Sequence, residues 1–182
     1  NSINGAMMTA TFFMMGGFMP YEFQRLGTSA SEFGLLFSTT ALGYMIGNQM
    51  SRSMGPRLGQ DLTAFVGAVF SLIVMILLIG LSSIDFATPL VISAALLLYG
   101  IGNGLVVANS IVGAVRAAGV HSGAATGLAG ALQMLGSAAF GSLTIAFGGD
   151  HNFMLALLIT TVMTATGVGA GYLALERAWG GR

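Results

Sequence analysis

Long stretches of this chain carry no charge at all, and that constrains it more than any motif. The runs Leu62 to Ser83, Pro89 to Val115 and Asn152 to Leu175 are apolar almost throughout. Each is long enough to cross a hydrocarbon layer, which takes roughly 20 mostly apolar residues in a helix. Adding shorter and more polar runs gives six expected spans, at about 3–20, 33–51, 62–82, 89–112, 123–147 and 153–175. The expected fold class is an all-α membrane protein, a single bundle of six transmembrane helices over residues 1–182.

Composition narrows the function. Net charge is zero, so no basic patch offers itself to nucleic acid. There is no Cys, which removes disulfides, thiolate chemistry and Cys metal sites. His121 and His151 both fall at expected span ends. No cofactor is expected. Because the chain opens on Asn1 rather than Met, we expect a piece of a longer protein, and the first apolar run has no basic leader of the signal-peptide kind.

The connections are short and carry helix punctuation. Ser29 with Glu32 forms a capping-box pattern. Thr88 before Pro89 supplies an N-cap and a proline at the first helical position. Asp61 and Ser122 are expected to cap the third and fifth helices, and Gly148-Gly149-Asp150 to break the chain before the sixth. With six spans, Arg52, Arg57, Arg116, Arg177 and Arg182 share one side and only Arg25 lies on the other. The positive-inside rule then makes both termini cytoplasmic. Glu22, Glu32, Asp85 and Asp150 fall in the opposite loops, which leaves no ionisable residue at mid-membrane depth.

Small residues repeat at helical spacing in Gly43/Gly47, Gly100/Gly104, Gly119/Gly123, Gly123/Gly127 and Gly167/Gly171. The fifth span is the clearest case, with Gly123, Gly127, Gly130, Ser137 and Gly141 on one face and Gln133 on the same stripe. Such a face admits a neighbouring backbone closely. It serves static packing or sliding against a partner, and the two uses are compatible. Asn48, Gln49, Asn103, Asn109 and Gln133 place amides in spans two, four and five, and span one has Asn4, Thr9 and Thr11. Desolvating an unpartnered amide costs about 2–7 kcal/mol. Spans one, two, four and five are therefore expected to face protein or water, and three and six to face lipid. Span one is rich in Met and Phe, which suit either packing or an adaptable pocket. Phe13, Phe37, Tyr44, Tyr99, Asn103 and Gln133 are the candidate substrate contacts, Tyr44 and Tyr99 because each joins an apolar ring to a hydroxyl.

At the second connection the sequence reads Gly47-Asn-Gln-Met-Ser51-Arg52-Ser-Met-Gly55-Pro-Arg57. This resembles the cytoplasmic motif of the major facilitator superfamily, roughly G-x-x-x-D-R-x-G-R, with Ser51 at the acidic position and the second glycine displaced by one residue. Pro20…Gln24…Gly27, Ser31-Glu-Phe-Gly-Leu-Leu-Phe-Ser38, Ala41-Leu-Gly-Tyr-Met-Ile-Gly47, Gly104…Ala108-Asn109 and Gly123-x-Ala-x-Gly127-x-Ala-Gly-Ala-Leu-Gln133-x-Leu-Gly136 are similar to the Bcr/CflA drug-resistance branch over about residues 15–148. The resemblance implies the C-terminal six-helix half of a twelve-helix, proton-driven exporter of small amphipathic molecules in a bacterial inner membrane. Its implied partners are the N-terminal half, the bilayer, the substrate and protons. It also implies that helices one, two, four and five of the half approach a central cavity, and that the proton-coupling acid lies in the other half.

Two other classes compete. A self-contained six-helix channel or homodimeric carrier would need a filter of convergent carbonyls or charges, and no such stretch is present. An intramembrane enzyme would need a buried Ser near a His, or H-E-x-x-H. Ser137 and Ser142 are candidates for burial, but both histidines fall at the membrane edge, and H-E-x-x-H is absent.

Overall fold

A computed structural model describes residues 2–147 and 151–180. Six helices account for nearly all of them: α1 Ser2–Arg25, α2 Ala30–Leu58, α3 Gln60–Ser83, α4 Pro89–Ala118, α5 Ser122–Ala146 and α6 Phe153–Gly180. Among the described residues there is no strand. Gly148–Asp150, Arg182 and the side chains of Arg116 and Arg177, all used in the sequence reading, lie outside the described residues.

Helix ends follow local chemistry. The Ser29 amide donates to Glu32 Oε2 at 2.9 Å, and the Glu32 amide donates to Ser29 Oγ at 3.3 Å, completing the capping box. Thr88 Oγ1 accepts from the Val91 amide at 3.4 Å ahead of Pro89. Asn152 caps α6, accepting the Leu155 amide on Oδ1 at 3.0 Å. Two expected caps are not made. α3 starts from Gly59 (φ 87°) with no side-chain cap, and Asp61 lies inside its first turn. α5 emerges from the 3₁₀ turn Gly119–His121 that continues α4, so Ser122 is already helical and His121 holds the cap position without a side-chain bond.

α1 runs past the expected end at residue 20, through Pro20, to Arg25. It stops in a Schellman arrangement: Gly27 (φ 79°) donates to Gln24 O, and Thr28 donates to Phe23 O. α4 likewise runs on through 113–118, which the sequence reading placed in a loop.

Four helices hold segments long and apolar enough to cross a membrane: Gln60–Ser83, Pro89–Gly113, Thr126–Ala146 and Phe153–Glu176. These mark the chain as an integral membrane protein. α1 and α2 are more polar. α1 is wrapped by α4, α5 and α6, so its Asn4 and Thr11 face protein.

The helices are arranged around α1 and α4, which touch. α2 packs on α4, and α5 packs on α1. α3 lies against α4, α6 against α1, and α3 and α6 meet behind. This pattern maps onto itself when α1, α2 and α3 are exchanged for α4, α5 and α6. Direction follows the same exchange. α2 runs parallel to α4, with Thr39 beside Ser93 and Ser51 beside Asn109. α5 runs parallel to α1, with Gln133 near Gly5 and Thr144 beside Met14. α1 and α4 are antiparallel, since Gly5 meets Ser110 while Thr11 lies near Tyr99. The bundle is thus a three-plus-three inverted repeat, a symmetry invisible in the sequence.

The centre is filled from α1. Met8, Met14, Met15, Phe18, Met19 and Phe23 are fully buried against Leu96, Tyr99, Met75, Leu78 and Leu157. Flexible thioethers fill the irregular space between three neighbouring helices. Most of the Met/Phe stripe of α1 is core.

Candidate functional site

The bundle is enclosed unevenly. Of the apolar segment of α4, 61% is buried, against 12% for that of α5. α2 buries only Thr40, Gly43, Gly47, Ser51 and Gly55, leaving Leu35, Leu42, Met45, Ile46 and Met50 exposed. Outward residues of α3 are Val66, Ile73, Ile76 and Leu77, and those of α6 include Leu158, Val162 and Leu173. The back of α3 is largely hydrocarbon, whereas that of α6 also exposes Thr166, Gly169 and Tyr172. The flanks add polar and small residues, with Ser38 and Gln49 exposed on α2 and Thr126, Gly127 and Ser142 exposed on α5.

The expected substrate contacts divide by depth. Phe13 is 44% exposed and meets Phe12 edge-on at 5.3 Å. Phe37 stacks on Phe33 at 5.3 Å and lies over Gly16 of α1. Tyr44 is half-buried on α2, with its carbonyl against Gly104. Gln133 is half-buried over Gly5. Tyr99 and Asn103, in contrast, are sealed in the core at 0% and 3% exposure, and neither reaches an open surface. The Tyr99 hydroxyl sits near Thr11 and Thr164, whose own hydroxyls donate to Met7 O and Thr160 O. No hydrogen bond of ordinary geometry reaches the Tyr99 hydroxyl among the described residues, so it lies beside these threonines in a buried polar seam between α1, α4 and α6.

The glycine stripe of α5 also differs from expectation. A Cβ added at Gly123, Gly127, Gly130 or Gly141 would meet nothing within 4 Å among the described residues. Among the described residues no helix makes a close approach at these four glycines, although Ser137 of the same stripe is buried and Gln133 lies over Gly5 of α1. The contact is made elsewhere, between Gly43 and Gly47 of α2 and Gly100 and Gly104 of α4, where an added Cβ would strike the carbonyls of Leu97, Ile101, Thr40 and Tyr44 respectively.

At the Gly47–Arg57 motif, Gly47 is part of that seam, and Arg52 and Arg57 are exposed. Arg52 reaches Gln49 Oε1 at 3.4 Å, and neither arginine forms an ion pair among the described residues. At the position where the resembled motif has an acid, buried Ser51 accepts from Asn109 Nδ2 at 2.7 Å. Asn109 Nδ2 also donates to Leu105 O at 2.7 Å, and Asn109 Oδ1 would lie 3.2 Å from a Cβ on Gly55. A cavity of 740 Å³ opens beside this bond, lined by Asn48, Arg52, Gln60 and Asp61 among others. Residue type alone pairs Ser51 with nothing; the parallel register of α2 and α4 is what brings it to Asn109.

Comparison with known proteins gives no match to any family, curated protein or solved structure.

The opposite end holds what the sequence reading missed. Because α1 continues to Arg25, Glu22 is not in a loop. It is 4% exposed and gripped by Arg25, whose Nε and Nη2 donate to its two carboxylate oxygens at 2.8 and 2.7 Å. Hydrogen bonding to Glu22, then its charge, and at longer range the charge of Asp85, hold the guanidinium protonated even more firmly than usual. A helical reading carried through Pro20 would have found this pair, since the two residues stand one turn apart.

Proposed function

We propose that this chain is one six-helix half of a major facilitator type transporter, working by alternating access as a proton-coupled exporter of small amphipathic molecules. The observation that carries the reading is the inverted repeat with α2 and α5 left open on its flanks. In a repeat-built carrier, the partner half covers those flanks, and α3 and α6 meet lipid. The missing partner is an upstream half of the same transporter. The α2–α4 seam, backbone against backbone, moves as one body. The open glycine face of α5, with Gly123, Gly127, Gly130 and Gly141, is the surface on which that body slides. Phe13, Phe37, Tyr44 and Gln133 offer rings, a hydroxyl and an amide to a substrate held between the halves. The centre of this half has no acidic or basic side chain among the described residues, so the coupling acid is assigned to the other half. We place both termini on the cytoplasmic side of a bacterial inner membrane from the arginine asymmetry. No catalytic set is proposed.

Ethidium efflux from energised vesicles tests this. Uncoupler-sensitive efflux with both halves present and none with this chain alone is the expected result. Efflux from this chain alone would replace the reading with a homodimeric carrier, in which a second copy covers α2 and α5. No efflux in either case would remove the drug-export assignment.

A further inference from the structure

We propose that the end of the bundle carrying Glu22, Asp85 and His151 holds a site for a planar aromatic cation, separate from the face formed by Phe13, Phe37, Tyr44 and Gln133. Its role as an exit-side station rests on the transporter reading, but binding to it requires no transport.

Two adjoining cavities, of 260 and 310 Å³, share Glu22, Arg25, His151 and Phe153. The larger is near the lower limit for small-molecule sites, about 300 Å³. They are built where the end of α1, the α3–α4 connection and the start of α6 converge, so three separate elements fix the walls. One wall is aromatic. Phe18, Tyr21 and Phe153 line the 310 Å³ cavity. Phe18 is buried at the back of this wall, 6.2 Å from Phe153 and tilted at 55°, while Tyr21 is 47% exposed and Phe153 half-buried, so the accessible ring faces are those of Tyr21 and Phe153.

The other wall is anionic. Glu22 and Asp85 stand against the single guanidinium of Arg25. Arg25 gives two donors to Glu22 and also feels the charge of Asp85, so with His151, which lines both cavities, counted as neutral, the formal tally of Glu22, Asp85 and Arg25 is one negative charge. Ser82 also lines the smaller cavity, and its Oγ is shielded from solvent without a hydrogen-bond partner among the described residues. It is a polar group waiting for one. Aromatic faces beside one surplus negative charge select a cation with a π surface. An anion would meet Asp85, and a metal ion would lack ligands, since no group of three His, Asp or Glu side chains converges among the described residues.

The test uses the full chain in zwitterionic phosphatidylcholine nanodiscs, with ethidium as the probe. Fluorescence anisotropy gives its affinity, and photolabelling with ethidium monoazide followed by peptide mapping gives its location. Asp85→Asn removes only charge, because Asn tolerates the left-handed backbone (φ 55°) that Asp85 adopts. Phe153→Ala removes a ring. We expect each to weaken binding about 5- to 10-fold, with adducts in 18–25 or 151–154. Affinity within twofold of wild type for Asp85→Asn, or adducts confined to 13–17 and 33–44, overturns the site. The transporter reading fails separately: binding that is lost in Asp85→Asn, in a protein that never supports efflux, keeps the site and discards the exporter. Efflux with unaltered Asp85→Asn binding does the reverse.

Discussion

α2 and α5 occupy equivalent places in the repeat, and both carry glycines at four-residue spacing, yet they use them oppositely. Gly43 and Gly47 are pressed onto the backbone of α4, while Gly123, Gly127, Gly130 and Gly141 look into open space. The same sequence pattern thus makes a closed seam in one place and an unoccupied face in the other. Small residues permit close approach; whether a partner arrives depends on which helix the connections deliver.

The contrast breaks most directly in the seam, where α2 lies against the backbone of α4. Gly47→Ala should cost about 3 kcal/mol, the upper end of overpacking penalties, because the obstacle is the Ile101 carbonyl and cannot rotate away. Gly127→Ala should stay within about 0.5 kcal/mol, as for an uncrowded surface change. Thermal unfolding of the two variants in detergent compares them, and equal losses would show that α5 is packed after all.

A second test acts on the polar pin of the seam. Asn109→Leu leaves buried Ser51 without its donor and should cost about 1–3 kcal/mol. Adding Ser51→Ala should recover part of the loss, because the unmet hydroxyl is gone. A strictly additive double-mutant cycle would mean that the bond contributes nothing.

Arg25→Ala probes the ion pair at the far end. It strands the buried Glu22 carboxylate, but the guanidinium side chain is 68% exposed and water screens the pair, so about 1 kcal/mol is expected. Chemical denaturation at two ionic strengths checks this, the wild-type advantage shrinking in high salt.

The smallest effect belongs to the α2 cap. Hydrogen bonds from Ser29, first its side chain and then its backbone, hold the Glu32 carboxyl below its ordinary value of 4.5. A depressed folded-state pKa contributes stability that is present above the ordinary value and lost as pH falls through the depressed one. Ser29→Ala should therefore lower stability slightly at neutral pH and flatten the acid limb of the profile, the gap to wild type narrowing as pH falls through the depressed value. An unchanged acid limb would show that the cap has no part in it.

Much of this was legible in advance. Uncharged runs located all six helices, since burying a backbone in hydrocarbon demands a helix wherever charges are missing. Ser29, Glu32, Thr88 and Pro89 marked their ends because capping needs only residues within one turn. The amides of α1 and α4 pointed inward, as the cost of an unpartnered amide requires. The candidate contacts were less legible. Tyr99 and Asn103 have the same chemistry as Tyr44 and Gln133, and only the angle at which α1, α3 and α6 close over α4 decides that the first two are sealed. Glu22 was misplaced because the first span was ended at residue 20, whereas the helix continues through Pro20, a proline inside a buried helix being tolerated when neighbours satisfy the freed carbonyl.

Helix number, the capped starts of α2 and α4 and the polarity of each span are local or compositional properties, so the order of residues determined them by itself. The inverted repeat, the Ser51–Asn109 bond, the seam of α2 on α4, the empty glycine face of α5 and the cavities beside Glu22 were decided only by tertiary structure. Each joins residues tens to more than a hundred positions apart, and the rotation of a helix about its own axis, which places them, is set by its neighbours' shapes and not by its own sequence.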